Sequence, residues 1–140
     1  MIILDTNVVS EPLKSVPDPA VLNWLNAQEA QTLYLTAINW AELLAGVEAL
    51  PTGRRRNKLA LVLNTQVLAL FNNRVLAFSA KAAELFAKAH ASAHSQGNSI
   101  GFADCAIASI AKANGYAVAT RNTKDFKGTG IALINPWTDC

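Results

Sequence analysis

The sequence predicts an α/β fold, a parallel sheet with helices on both faces. Short runs rich in apolar residues recur at 2–4, 33–35, 74–78, 116–119 and 131–134. Segments with apolar residues at helical spacing separate them, and this alternation is the pattern of strand–helix–strand units. The first run, Ile2-Ile3-Leu4, is continuously apolar rather than alternating, as in a strand buried on both faces.

The elements follow in order. After the first strand, residues 8–15 read as a short irregular or helical segment. Asp18 is a good N-cap and Pro19 suits the first helical position, so a helix is predicted from 19 to about 29. The second strand covers 33–35. Thr36 caps the next helix, which carries Ile38, Ala41, Leu44 and Val47 and is ended by Pro51-Thr52-Gly53. A third helix spans about 54–71, striped by Leu59, Leu63, Val67 and Leu70. After the strand at 74–78, Ser79 caps an alanine-rich helix to about 95, and Gln96-Gly97-Asn98 stops it. Ser99 opens the last long helix, closed at Asn114-Gly115. The fourth strand covers 116–119, a loop with a turn near Asp125-Phe126 follows, and the fifth strand covers 131–134.

Composition narrows the function classes. With 140 residues the chain suits one domain, residues 1–140, long enough for a proper core. An apolar content of 51% excludes a disordered chain. The net charge of +2 is too small to predict a nucleic-acid partner by itself. No apolar run approaches the roughly 20 residues of a membrane span. There is no leader pattern, and the first strand begins at residue 2, so a cytoplasmic location is expected. Cys105 and Cys140 do not make a disulfide framework and are expected as thiols.

The acids carry the functional argument. There are ten, and Glu11, Asp18, Glu29, Glu48, Glu84 and Asp139 fall where solvated or capping residues usually sit. Four stand apart. Asp5 ends the first strand, at the sheet edge where open parallel sheets bind ligands. From this stretch alone, a turn cap and a site carboxylate are both open readings of Asp5. Glu42 and Asp104 lie inside apolar helices with no Lys or Arg within a turn, a costly placement unless compensated. Asp125 follows the fourth strand. Both helices begin at the edge where strands end, so their first turns can face Asp5. Carboxylates meeting there repel, and a divalent cation relieves the repulsion. Hard oxygen ligands suit Mg²⁺ or Mn²⁺, and the implied chemistry is metal-assisted phosphodiester hydrolysis.

Several motifs together resemble one family. They are Asp5-Thr6-Asn7-Val8-Val9-Ser10-Glu11, Ala41-Glu42-Leu43 with Gly46 and Leu50-Pro51, Asp104-Cys105-Ala106-Ile107-Ala108, residues 119–126 from Ala119-Thr120-Arg121 to Asp125-Phe126, and Asn135-Pro136-Trp137. They resemble a PIN domain, and more closely the VapC and FitB-like toxins of bacterial type II toxin–antitoxin modules. The resemblance covers essentially the whole chain. It implies a three-layer α/β/α sandwich with a five-stranded parallel sheet, and an Mg²⁺- or Mn²⁺-dependent endoribonuclease. Asp5, Glu42 and Asp104 match the family's three best-defined acids. Asp125 is assigned as the fourth, although relatives often carry an acid nearer Thr120, where this chain has Asn122. Thr6, Asn7, Thr120 and Asn122 would line or support the site.

The implied partners are an RNA substrate (tRNA, rRNA or mRNA), a cognate antitoxin, and a second copy of the chain, alone and within a hetero-oligomer with the antitoxin. Promoter DNA would be met only through the antitoxin, and no membrane is expected. The alternative is a catalytically silent PIN-type module that binds RNA or a partner.

Other features have competing readings. Arg54, Arg55, Arg56 and Lys58 crowd a helix N-terminus, whose dipole disfavours cations. They suit RNA phosphates, a solvated end or an antitoxin contact. Arg121 and Lys124, with Lys127, flank the fourth acid and are better placed for a phosphate. His90 and His94 share a helix face but lack a third metal ligand. Cys105 has no accompanying His and reads as a core residue, as do Trp40 and Trp137. A haloacid-dehalogenase-like phosphatase needs an acid where Asn7 stands. A receiver domain needs paired acids near the first strand's end and a late lysine, and neither is evident.

Overall fold

A computed structural model describes residues 1–139, so the thiol expected of Cys140 lies outside the described residues. Five strands form one parallel sheet: β1 (Ile2–Leu4), β2 (Leu33–Thr36), β3 (Val75–Leu76), β4 (Ala117–Ala119) and β5 (Leu133–Ile134). Their spatial order is β3-β2-β1-β4-β5. The chain steps outward from β1 through β2 to β3, then returns to the other side of β1. The order therefore reverses at β1, and open parallel sheets bind ligands at such a reversal, beyond the C-terminal ends of the strands.

The helices are α1 (Thr6–Ser10), α2 (Pro19–Asn26), α3 (Ala37–Glu48), α4 (Arg54–Val62), α5 (Leu68–Phe71), α6 (Ala80–Ser95) and α7 (Phe102–Asn114). Side chains alternate across each strand and divide the core in two. Leu4, Leu35 and Ala119 face one cluster with Val8, Val21, Leu43, Leu63 and Phe71. Ile3 and Val118 face the other with Ala82, Ile107, Ile110 and Phe126. Helices thus cover both faces, as the three-layer expectation requires. Among the described residues, no helix is long and apolar enough to cross a membrane.

Three expected caps form. Asp18 accepts from the Ala20 N–H at 2.9 Å and Ser79 from the Ala82 N–H at 3.2 Å. Thr36 accepts from the Asn39 N–H at 3.1 Å, and Asn39 returns the contact by accepting from the Thr36 N–H, a capping box. At the end of α7, Gly115 takes a left-handed conformation (φ 72°) and the Tyr116 N–H reaches back to the Ala111 carbonyl.

Other boundaries differ from expectation. Helix α2 ends at Asn26, three residues early, and α3 stops at Glu48, before Pro51. Strands β3 and β5 keep only two residues each. Helix α7 opens at Phe102 behind Gly101, not at Ser99, and it has no side-chain cap. The segment predicted as one helix over 54–71 contains a π turn at Leu63–Val67. Within it, Asn64 donates to the Ala60 carbonyl at 2.8 Å and Thr65 to the Leu61 carbonyl at 2.6 Å. Such side chains compete with the helical ladder. Leu63, Val67 and Phe71 are all buried at a spacing of four. In a regular α-helix that spacing drifts about 40° per step, and a wider turn counters the drift.

Candidate active site

The site is built on Asp5. Its N–H donates to the Ala119 carbonyl at 2.9 Å, so the residue is fixed where β1 meets β4. Its carboxylate is buried and accepts three hydrogen bonds. The Thr6 N–H donates to Oδ1 at 2.8 Å, Asn39 Nδ2 to Oδ1 at 3.3 Å, and Thr120 Oγ1 to Oδ2 at 2.7 Å. The first of these caps α1. The capping reading of Asp5 is therefore the observed one, and the same carboxylate is held at the C-terminal edge of the sheet.

Thr6 links the second acid to the first. Its hydroxyl donates to Glu42 Oε1 at 2.7 Å and accepts from Asn39 Nδ2 at 3.3 Å. Asn39 is the residue that the sequence reading missed. It is fully buried, and its Oδ1 accepts from the Thr36 hydroxyl at 2.6 Å. A carboxylate only accepts, so the amide nitrogen must face Asp5 and the amide oxygen must face Thr36. The signal available was a Thr-x-x-Asn pattern at the start of an apolar helix.

Asp104 sits in the first turn of α7, half-buried. The later start of that helix puts its carboxylate at the positive end of the helix dipole. Burial, and then the charges of Asp5, Asp125 and Glu42, push its pKa up from 3.8 to about 6. Asp5 is also raised, by burial first and by Asp125 last, against the lowering bonds from Thr120, Thr6 and Asn39. The four predicted acids therefore share one electrostatic environment, although they come from four separate stretches of chain. Asp125 lies in a 3-10 turn, Thr123–Phe126. Asn122 contributes its backbone N–H to Thr120 Oγ1 at 3.1 Å, and Asn7 Oδ1 accepts from the Arg121 N–H at 3.3 Å.

The cations are arranged unevenly. Arg56 is paired with Glu48. Arg55 lines a largely apolar groove of about 340 Å³ that begins at Thr6 and Glu42 and continues along Leu43, Val47 and Leu59. Arg54 and Lys58 are exposed. Two acids differ from expectation: Glu11 is 3% exposed rather than solvated and accepts from Lys14 Nζ at 3.1 Å, and Glu42 is exposed, so its place in an apolar helix carries no burial cost. Cys105 is fully buried among apolar neighbours and burial raises its thiol pKa, so it is poorly suited to nucleophilic work. His90 stacks on Phe86 with ring centroids 5.8 Å apart. Trp40 and Trp137 pack, partly buried, on the first core cluster.

The donor set fits a hard divalent cation. It consists of carboxylate oxygens, and among the described residues none of the four acids is ion-paired. Also among the described residues, no three His, Cys, Asp or Glu side chains are grouped tightly enough to grip one ion. Magnesium suits such an open arrangement, because it takes one or two carboxylates directly and keeps several waters.

The sheet and its acid-lined edge define a class, the α/β proteins with a polar site at the strand-order reversal. The comparisons with known proteins narrow it. The PIN domain model matches residues 2–131, and the chain belongs to the PIN domain family. It is 47% identical over 137 residues to VapC ribonuclease Y4jK of Sinorhizobium fredii, covering 98% of both chains. It is 41% identical over 139 residues to toxin FitB of Neisseria gonorrhoeae, covering 99% of this chain and all of the relative. The fold matches the crystal structure of FitAcB from N. gonorrhoeae with a TM-score of 0.95 at 40% identity, over 99% of each chain. It matches a structure of FitAB bound to an IR36 DNA fragment with a TM-score of 0.94 at 39% identity, over 98% of this chain and 96% of the other.

Proposed function

We propose that this protein is a divalent-metal-dependent endoribonuclease, the toxin of a type II toxin–antitoxin pair, with residues 1–140 as one nuclease domain. One observation carries the reading. Burial and then the charges of Asp5, Asp125 and Glu42 raise the proton affinity of Asp104, burial and the charge of Asp125 raise that of Asp5, and among the described residues no cation pairs with any of the four. The names of its relatives, a VapC ribonuclease and a FitB toxin, support the same reading.

Asp5 and Asp104 are the proposed direct ligands of Mg²⁺ or Mn²⁺, with Glu42 and Asp125 completing the acid set. The chemistry such an ion supplies when bound is a more acidic water and a counter-charge for the scissile phosphate. The chain's own residues prepare the site. Thr120, the Thr6 N–H and Asn39 hold the Asp5 carboxylate in one orientation. The Thr6 hydroxyl fixes Glu42. The first turn of α7 places the Asp104 carboxylate near enough to Asp5 to feel its charge. Asn7 Oδ1, accepting from the Arg121 N–H, and the Asn122 N–H, donating to Thr120 Oγ1, hold the loop after β4. The family's solved complexes support an antitoxin partner, with promoter DNA reached through it. The apolar groove beside Glu42 is the proposed surface that the antitoxin covers.

The test is cleavage of total cellular RNA by the purified protein with Mg²⁺ or Mn²⁺, with EDTA, and with Asp5→Asn. Discrete fragments that require both the metal and Asp5 are expected. RNA left intact under every metal condition, by a protein that melts cooperatively, would refute the reading in favour of a silent binding module.

A further inference from the structure

Arg121 follows Thr120, whose hydroxyl holds Asp5, so it stands at the rim of the acid site. Four carboxylates share that edge, yet among the described residues Arg121 forms no ion pair. Its guanidinium instead lies over the Trp137 indole, with Cζ 5.2 Å from the ring centroid. The platform is rigid. The Trp137 N–H donates to Asn135 Oδ1 at 2.9 Å, and the Asp139 N–H donates to the Asn135 carbonyl at 2.7 Å. The indole also packs on the core cluster that contains Leu4 and Ala119. The Arg121 backbone is held as well, since its N–H donates to Asn7 and its carbonyl accepts from Asn135 Nδ2 at 3.5 Å.

A stacked guanidinium uses its flat face. All five of its N–H donors lie in its plane and remain available to a phosphate. Stacking also keeps the cation from collapsing onto the acids, which would neutralise the site and occupy the arginine. We infer that Trp137 is a positioning residue that holds Arg121 as a preorganised clamp for a backbone phosphate of single-stranded RNA beside the scissile bond. This rests on the nuclease reading above. Among the described residues neither Lys124 nor Lys127 forms an ion pair or lies over an aromatic ring, so Arg121 is distinguished from them.

The experiment measures binding of a fluorescent oligouridylate to the full chain in EDTA across a salt series, with cleavage of total RNA in Mg²⁺ measured on the same preparations. Arg121→Ala is an exposed-site change, and it lowers the slope of log affinity against log salt by about 0.7, one phosphate contact on a single strand. Trp137→Leu weakens binding in the wild-type background but not in the Arg121→Ala background, the non-additivity of two residues acting as one. Trp137→Phe keeps a ring face and retains most of the affinity. An unchanged slope in Arg121→Ala, or an equal loss from Trp137→Leu in both backgrounds, overturns the inference while cleavage by wild type leaves the nuclease reading intact. Wild type that neither cleaves RNA nor binds it with a salt slope ends both. Should Trp137→Leu fail to melt cooperatively, the Arg121→Ala slope and the Trp137→Phe affinity still decide.

Discussion

Replacing Asp104 with Asn should make the metal-free protein more stable at neutral pH. The carboxyl of Asp104 is held at a pKa of about 6 in the folded chain, against 3.8 in the open one. Between those values the folded state keeps a proton that the unfolded state has lost. Stability therefore falls as pH rises from about 4 to about 6, and the full penalty applies above that range. Two units correspond to about 3 kcal/mol as a ceiling. Asp104 is only partly buried, and solvent screening reduces this to about 1–2 kcal/mol. For a chain of this size the gain is about 3–6 °C in melting temperature. The assay is thermal unfolding of wild type and Asp104→Asn in EDTA at several pH values. The two curves should separate by pH 7 and converge near pH 4. Added Mg²⁺ should stabilise wild type more than the variant, since the ion offsets the same repulsion. A gap that is constant with pH, or a variant less stable at pH 7, would refute the electrostatic account.

Two further substitutions test the support around the site. Thr120→Val keeps the shape but removes the donor to Asp5 Oδ2 and the acceptor for the Asn122 N–H. It should lower the urea midpoint by the equivalent of about 1–3 kcal/mol, the cost of a buried carboxylate losing a partner. A midpoint equal to wild type would mean that Asp5 is satisfied without it. Phe71→Ala empties one of the two largest fully buried side chains among the described residues, at the end of the π-turn segment. It should cost about 3–5 kcal/mol by chemical denaturation, and a loss below about 1 kcal/mol would show that the core closes over the gap.

The legible parts of this protein are those that depend on neighbours in sequence. Asp18, Thr36 and Ser79 declare helix starts because a cap acts within three residues. The strands declare themselves by apolar runs, and the order of the acids follows from placing each run's end at one edge. What stayed hidden depends on distant chain. Asn39 reads as an unremarkable polar residue until Asp5, 34 positions earlier, is set against its amide. Glu11 reads as solvated because nothing local buries it; the fold does. Ser99 is a good cap by type, whereas α7 begins behind Gly101 without a side-chain cap. That two-residue shift is what brings Asp104 into the first turn. The π turn was equally hidden, since the spacing of Leu63, Val67 and Phe71 is compatible with a regular helix.

The position of β1 in the middle of the sheet has a consequence in time. One of its neighbours, β2, follows within about thirty residues, but the other, β4, begins only at Ala117. The Thr120 hydroxyl that holds Asp5 is 115 residues downstream of it. At about 5–20 residues per second, a nascent chain spends roughly 6–23 s with one side of its first strand open and its first acid unheld. The hydrogen bond from Thr120 to Asp5 forms only after residue 120 has emerged, and until then the growing polypeptide carries Asp5 without that partner.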